Sequence, residues 1–510
     1  MELLLLLILL GLITYSYFIV KRNVASITRT PVWLLWLVIT TPALIWSGWT
    51  LVKGENTPPL PVLLGSFLVC SLLYWLLLQL GRKQPNSSVS NGTKTESPTP
   101  SPQPKVPETR KESTLRPISK QEETELRNCF PWGVYYLQHV EYRPQAVLCR
   151  GKLRTNPEAA YKTVRENIEA EFGDRFFLVF QESLSGKPFF ALVPNPQAKQ
   201  KADHDDHKVT RPMLALGLLL ITLFTATVIG VNFAGIPAEQ LLSDPKALLQ
   251  GLPYALALMA IMGIHELGHY LSAMFYKMRT TLPYFIPSPF FIGAFEFVPM
   301  PSLIGTFGAF IQMRSPFPNR KALFDVALAG PVVGLIVTLP LLMWGLAHSS
   351  TVSISDASGL VNFESLNPRF SFLLTVLSKW ALGSKLTAGM AIELHPIAIA
   401  GYIGLALTAW NLMPVGQLDG GHVVHAMLGQ RNGAMIGQIT RLLMLVLALL
   451  EPDLLILAIL LLFMPVADEP ALNDVSELNN WRDFLGFLLL VLLVSIILPA
   501  PATVTELLNV

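Results

Sequence analysis

His265-Glu266-Leu267-Gly268-His269 lies inside an apolar segment, Gly251 to Phe275, that carries no other formally charged residue. On a helix, positions i and i+4 share a face, so His265 and His269 can offer imidazole nitrogens to one metal ion. Glu266 sits one position round, close enough to take a proton from a water at that metal. This is the donor arrangement of a zinc hydrolase. Ionisable side chains in a membrane-spanning helix are costly and ordinarily face a protein interior or a water-filled cavity. Three within five residues therefore read as a functional site. The alternative is a pair of packed core histidines salt-bridged to a glutamate.

The chain around this stretch has 510 residues, 52% of them hydrophobic and 14% charged. An ordinary soluble protein is roughly a quarter charged, so much of this chain is expected to face lipid. With 37 basic and 35 acidic side chains, the charge balance argues for no nucleic-acid partner. Cys70, Cys129 and Cys149 make no disulfide framework and are read as free thiols of a reducing compartment.

Taken in order, apolar runs of roughly 17 to 21 residues near Leu3, Val32 and Pro61 predict an N-terminal three-span segment, residues 1–81. The first run has Glu2 where a signal peptide has basic residues, and no small-residue cleavage site, so it is read as a span. Residues 82–120, rich in Lys, Ser, Thr and Pro, are expected to be a disordered linker. Residues 121–208 read as a soluble α+β domain. Helical spacing covers Pro157 to Phe172, and strand-like runs at Arg175–Gln181 and Lys187–Val193 predict a hairpin. His204-Asp205-Asp206-His207 is read as a solvated loop rather than a metal site.

Residues 209–510 form a second membrane block. Spans are expected near Met213–Val231, Leu252–Phe275, Ala322–Gly345, Ala391–Met413, Ala434–Leu450, Leu454–Met464 and Phe484–Leu498. Lys and Arg cluster in alternate loops, such as Lys277 with Arg279 and Arg314 with Arg320 and Lys321. The intervening loops nearly lack them, which puts the soluble domain and the metal motif toward the cytoplasm, or toward the stroma in a plastid. Between Thr281 and Met313, Pro283, Pro287, Pro289, Pro299 and Pro301 forbid a single helix. Irregular backbone at membrane depth survives where it lines a cavity or is covered by protein. The fold class expected is therefore mainly α: a polytopic membrane protein of about ten spans, with a small cytoplasmic α+β domain and a re-entrant strand or loop element near the active site.

Two histidines do not complete a catalytic zinc site, which usually has three protein ligands and a water. Asp419, in the run Asn411-Leu412-Met413-Pro414-Val415-Gly416-Gln417-Leu418-Asp419-Gly420-Gly421, is the candidate third ligand. Pro414 and the glycines let the backbone turn an acidic side chain inward, and the inferred topology brings Asp419 to the side of His265 and His269. His422 and His425 compete for the same place.

These two stretches resemble the site-2 protease family of intramembrane zinc metalloproteases. His265 to His269 matches its HExxH motif, and Asn411 to Gly420 matches its N-x-x-P-x-x-x-L-D-G motif, within a resemblance that covers about 213–510. The resemblance implies that His265, His269 and Asp419 are zinc ligands, that Glu266 is the catalytic acid and base, and that Asn411 positions substrate or stabilises the oxyanion. A narrower resemblance, to the EGY proteins of plastids and their cyanobacterial relatives, rests on Gly305-Thr306-Phe307-Gly308-Ala309, Asp325 to Pro331 and Leu472-Asn473-Asp474-Val475. Gly151-Lys152-Leu153-Arg154 is similar to their GNLR motif, with Lys in place of Asn. The expected activity is cleavage of a peptide bond in or near a transmembrane segment of another protein, within a lipid bilayer, using a zinc ion. The N-terminal spans look bacterial, so a cyanobacterial plasma or thylakoid membrane is expected ahead of a plastid membrane. The rivals are a CAAX-type protease, whose third ligand is a distal glutamate, a membrane zinc carrier, and a catalytically silent membrane chaperone.

Overall fold

The computed structural model describes residues 30–53, 118–143, 146–183, 186–195, 211–236, 244–288, 304–355, 358–360 and 362–510, with six single positions between 66 and 77. The chain divides into two compact units, Met1–Lys105 and Val106–Val510. In the first, helix α1 spans Val32–Lys53, over the second expected span. The first expected span, most of the third, the linker to 117 and the His204 to His207 cluster lie outside the described residues.

The second unit begins with a sheet layer. Helix α2 (Lys120–Asn128) carries a capping box in which Ser119 and Glu122 satisfy each other's backbone N–H groups. Strands β1 (Tyr135–Arg143) and β2 (Ala146–Leu153) follow, then α3 (Pro157–Phe172), β3 (Phe176–Glu182) and β4 (Pro188–Pro194). The sheet is antiparallel throughout, in the order β1-β2-β4-β3. Helix α3 buries Ala160, Tyr161, Val164, Ile168 and Phe172, the stripe its 3.6-residue spacing predicts. Phe180 and Phe190 stack across the β3–β4 pair with centroids 4.1 Å apart. Two residues from near the other end of the chain, Val475 and Leu472, complete this core.

The rest of the unit is helical. In order come α4 (Pro212–Phe233), α5 (Leu248–Phe275), the strand pair β5 (Tyr284–Pro287) and β6 (Thr306–Phe310), and α6 (Arg320–Ala347). Next are β7 (Ser350–Ser353), α7 (Phe372–Leu382), β8 (Met390–Glu393), α8 (Pro396–Asn411) and α9 (Asp419–Leu428). The chain continues through α10 (Gln430–Leu450), α11 (Leu455–Phe463), α12 (Asn480–Ile497) and α13 (Ala502–Leu508). Among the described residues, five helices are long and apolar enough to cross a membrane: α4, α5, α6, α12 and the bulk of α10. They leave large apolar side chains exposed, including Leu256, Ile336, Leu443 and Val491. An apolar face that finds neither protein nor water is a lipid face.

The expected span near Leu454–Met464 is helical over nine residues only. At 1.5 Å per residue that is about 14 Å, half the hydrocarbon thickness. At Met464 the backbone turns extended, and the chain is irregular from there to α12. Arg441, buried in the middle of α10, donates to the carbonyls of Met464 and Pro465, the latter at 2.9 Å. A broken helix end at membrane depth leaves carbonyls that need donors, and the buried arginine supplies them. Hydropathy cannot register that break, because it reads composition and not backbone hydrogen bonding.

Candidate metal centre

Helix α5 carries the motif near its C-terminal end and packs along α6 and α8. His265 and His269 are both buried, with their Nε2 atoms 3.1 Å apart. Asp419 Oδ2 lies 3.4 Å from the first and 3.3 Å from the second. Among the described residues these three are the one group of His, Cys, Asp and Glu whose donor atoms converge closely enough to hold a metal ion. The spacing has a simple reading. Corners about 3.3 Å apart belong to a tetrahedron whose centre is about 2.0–2.1 Å from each, the Zn–N and Zn–O distance. Two imidazole nitrogens and a carboxylate oxygen turned on one another in a buried place are a donor set that a divalent cation would satisfy.

The tautomer points the same way. His269 Nδ1 lies 2.7 Å from the Val326 carbonyl on α6, a partner that only accepts, so Nδ1 carries the proton and Nε2 keeps its lone pair for a metal. Four residues further along α6, Gly330 has no Cβ, and one built there would sit inside the His269 imidazole. Asp325, at the start of the same run, pairs through both carboxylate oxygens with Arg482 on α12 at 2.7 Å. The stretch Asp325 to Pro331, singled out in the sequence without a role, is thus the wall against which His269 is set. Gly330→Ala is expected to push His269 off its position, destabilise the protein by about 1–3 kcal/mol through overpacking, and lower bound metal. Thermal melting and metal content of the purified variant check this. A variant that melts normally and holds a full complement of metal would contradict it.

Asp419 reaches the histidines because α8 stops at Asn411 and the turn through Pro414 and Gly416 starts a new helix, α9, at Asp419 itself. A Cβ at Gly420 would overlap the Leu412 carbonyl, so the turn closes only with glycine there. The carboxylate then stands at a helix N-terminus, where the backbone dipole favours negative charge. Asn411 Nδ2 lies 3.2 Å from His265 Nε2, at the rim of the three donors. Glu266, half-buried beside them, has the Ile311 backbone within hydrogen-bonding range of its carboxylate. That backbone follows β6, which pairs antiparallel with β5 alongside α5, and Tyr254 of α5 donates to the Ile304 carbonyl at 2.9 Å. Residues 289–303 lie outside the described residues.

The competing histidines are otherwise engaged. His425 is buried, with Nδ1 2.6 Å from Asp468 Oδ2 and Nε2 2.9 Å from Asp474 Oδ1. His422 Nδ1 lies 2.8 Å from the same Asp468 oxygen. Burial pulls the His425 pKa down, but hydrogen bonds and charge from Asp468 and Asp474 outweigh it and raise the group to about 9. Asp468 is pushed up by burial and brought down by His422 and His425 to about 2. An imidazolium flanked by carboxylates on both nitrogens offers no lone pair. Sequence reasoning missed both aspartates. The Leu472 to Val475 run was the available signal, carrying Asp474 but no stated purpose. The other motif singled out, Gly151 to Arg154, is in the sheet layer, where Arg154 lies over the Trp132 ring at 3.9 Å.

Comparison with known proteins covers both parts of the second unit. Residues 253–450 match Peptidase family M50, and residues 124–201 match the EGY3 middle domain. The chain is 28% identical over 382 residues to "Probable zinc metalloprotease EGY1, chloroplastic" of Arabidopsis thaliana, covering 70% of this chain and 66% of that protein. It is 29% identical over 385 residues to "Probable zinc metalloprotease EGY2, chloroplastic" of the same plant, covering 74% and 64%. With "Probable zinc metalloprotease EGY3, chloroplastic" of Oryza sativa subsp. indica the identity is 24% over 395 residues, covering 73% and 63%. The chain therefore spans less than two thirds of the length of these curated relatives. No solved structure matches. His265, His269 and Asp419 all lie inside the peptidase match and the sheet layer inside the middle-domain match, so residues 253–450 are similar to Peptidase family M50 and the chain as a whole is similar to the EGY zinc metalloproteases.

Proposed function

We propose that this chain is an intramembrane zinc metalloendopeptidase that cleaves a peptide bond in or near a transmembrane segment of another membrane protein. The observation that carries the reading is the tetrahedral-edge spacing of His265, His269 and Asp419 beside Glu266. Names of the relatives, zinc metalloproteases all three, support the metal and the reaction class. In this reading His265, His269 and Asp419 hold zinc, which when bound acts as a Lewis acid toward water and the scissile carbonyl. Glu266 takes the proton that water gives up and returns it to the leaving amine. Asn411 donates toward the substrate carbonyl from the rim of the site. The β5–β6 pair, with its apolar exposed Ile286 and Phe307, is a re-entrant edge along which an extended substrate lies as an added strand.

The organisation proposed is a three-span segment (1–81), a linker (82–120), a soluble α+β domain (121–208) and the catalytic membrane block (209–510). The block crosses the bilayer seven times, with the crossing after Glu451 helical to Phe463 and irregular beyond it. The soluble domain and metal site face the cytoplasm or stroma. The named relatives are chloroplastic, so a plastid membrane fits at least as well as the cyanobacterial membrane expected from the sequence. Purified protein in proteoliposomes with a panel of single-span test proteins is the direct test. Cleavage is expected to stop with a zinc chelator and return with added zinc. Cleavage that persists without metal would overturn the reading.

A further inference from the structure

The irregular, non-helical run 464–478 passes the metal site and ends in the sheet layer. Beside the metal turn, the Pro465 carbonyl lies directly against the Gly416 backbone, three residues before Asp419. Next, Asp468 holds both His422 and His425, one and two turns beyond Asp419 on α9. Its own backbone carbonyl accepts from Gln430 Nε2 at 2.8 Å, which pins the run to the start of α10. Asp474 then takes the other nitrogen of His425. At that same residue the run becomes part of the sheet layer: the Asp474 N–H donates to the Phe180 carbonyl at 2.9 Å, and the Phe180 N–H donates to the Leu472 carbonyl at 2.7 Å. Phe180 is the fully buried centre of β3, and Val475 is buried in the same core. The N-terminal end of α6 is tied to both sides. Phe317 and Pro318 accept from the Leu472 and Asn473 N–H groups, and Arg320 Nη2 donates to the His425 carbonyl at 3.3 Å.

We infer that this strap positions the metal ligand Asp419 according to how the sheet layer is docked, with Asp468, Asp474 and His425 as positioning residues for the metal centre. His425, Asp468 and Asp474 are buried and joined by short contacts, and none of them is among the three converging donors. Helix α9 has ten residues, with Asp419 at its first position and His425 in its second turn. A displacement of the strap therefore turns or slides a short rigid rod whose tip is the carboxylate. The sheet layer becomes a part that sets the geometry of the site, in addition to anything it does in binding substrate. Partners that orient ligands in this indirect way typically change metal affinity or activity about 10- to 100-fold when removed.

The inference rests on the zinc reading above, and the test separates the two. Full-length protein in detergent is loaded with zinc and mixed with a colorimetric chelator, and the rate of zinc transfer is followed. Cobalt-substituted samples give a visible spectrum that reports ligand geometry without turnover. Asp468→Ala and Asp474→Ala are each expected to release zinc about 10-fold faster or more and to alter the cobalt spectrum, with kcat falling more than KM changes. Asp474→Asn, which keeps an oxygen acceptor for His425, is expected to recover much of the loss. Val475→Ala, a change confined to the core of the sheet layer, is expected to move release and spectrum in the same direction by a few-fold. Should the alanine aspartate variants fail to purify as monodisperse protein, Val475→Ala decides the matter by the same two readouts. Native release rates and an unaltered cobalt spectrum in the monodisperse alanine variants would overturn the strap and leave the protease reading standing. A native chain that takes up no metal at all would overturn both.

Discussion

Glu266→Gln should leave the helix and the bound zinc in place while cleavage falls by about 10²- to 10⁴-fold, the usual contribution of a general acid–base group. Glutamine has the shape of glutamate and can still meet the Ile311 backbone beside it, so packing gives no reason for the protein to unfold. What it lacks is basicity. The carboxylate is half-buried and one residue along from His265, and no other carboxylate apart from Asp419 is part of the converging group. If Asp419 holds metal, Glu266 is the carboxylate that the described residues leave beside the site for the proton. The measurement is product formation from a transmembrane test protein, run beside metal analysis of the same preparation. Cleavage at a tenth of the native rate or better, from material free of contaminating protease, would mean that some other group moves the proton.

The second large effect is expected at Asp419. Removing its carboxylate in Asp419→Ala leaves two imidazoles to hold a divalent ion, and bound zinc and activity should both be lost. Asp419→Asn keeps the size and removes the charge, so it should hold zinc weakly. The controls are His422→Ala and His425→Ala. Both side chains are turned to Asp468, and neither donor is in the converging group, so both variants should retain zinc after purification, though they should release it faster to a chelator. Zinc content by atomic spectroscopy, with monodispersity as the check on folding, separates the cases. A full complement of zinc in Asp419→Ala would remove Asp419 from the ligand set.

What could be read in the sequence follows from the range of the interactions involved. The pairing of His265 with His269 depends only on helix periodicity, so it was fixed by five residues. The helix Pro157–Phe172 and the β3–β4 hairpin are local in the same sense. Asp419 was different, because its approach depends on α8 stopping at Asn411 and on the turn that follows. Its candidacy came from motif likeness and topology together. His422 and His425 stayed open as ligands because the groups that occupy them, Asp468 and Asp474, lie 43 to 49 residues downstream. No periodicity links residues so far apart. That the run Leu454–Met464 stops being helical at Phe463 was not legible, since an apolar run looks the same whether or not its helix breaks. The carbonyls that Arg441 satisfies are where it does break.

The sheet layer draws Leu472 and Val475 into a core otherwise built from residues 118–192. During synthesis that core stays unfinished long after its own strands have been made. Loop closure over so long an intervening stretch costs entropy that grows only slowly with length, but it cannot begin until the far end exists. The nascent sheet must therefore wait, with an apolar slot beside Phe180, while the helices of the membrane block are inserted one after another. Filling that slot is among the last steps of assembly, and it fixes the strap that grips α9. A chain with misplaced helices would keep the slot open, presenting an exposed edge strand and apolar surface of the kind chaperones bind. Completion of the metal site and burial of that surface are thus one event.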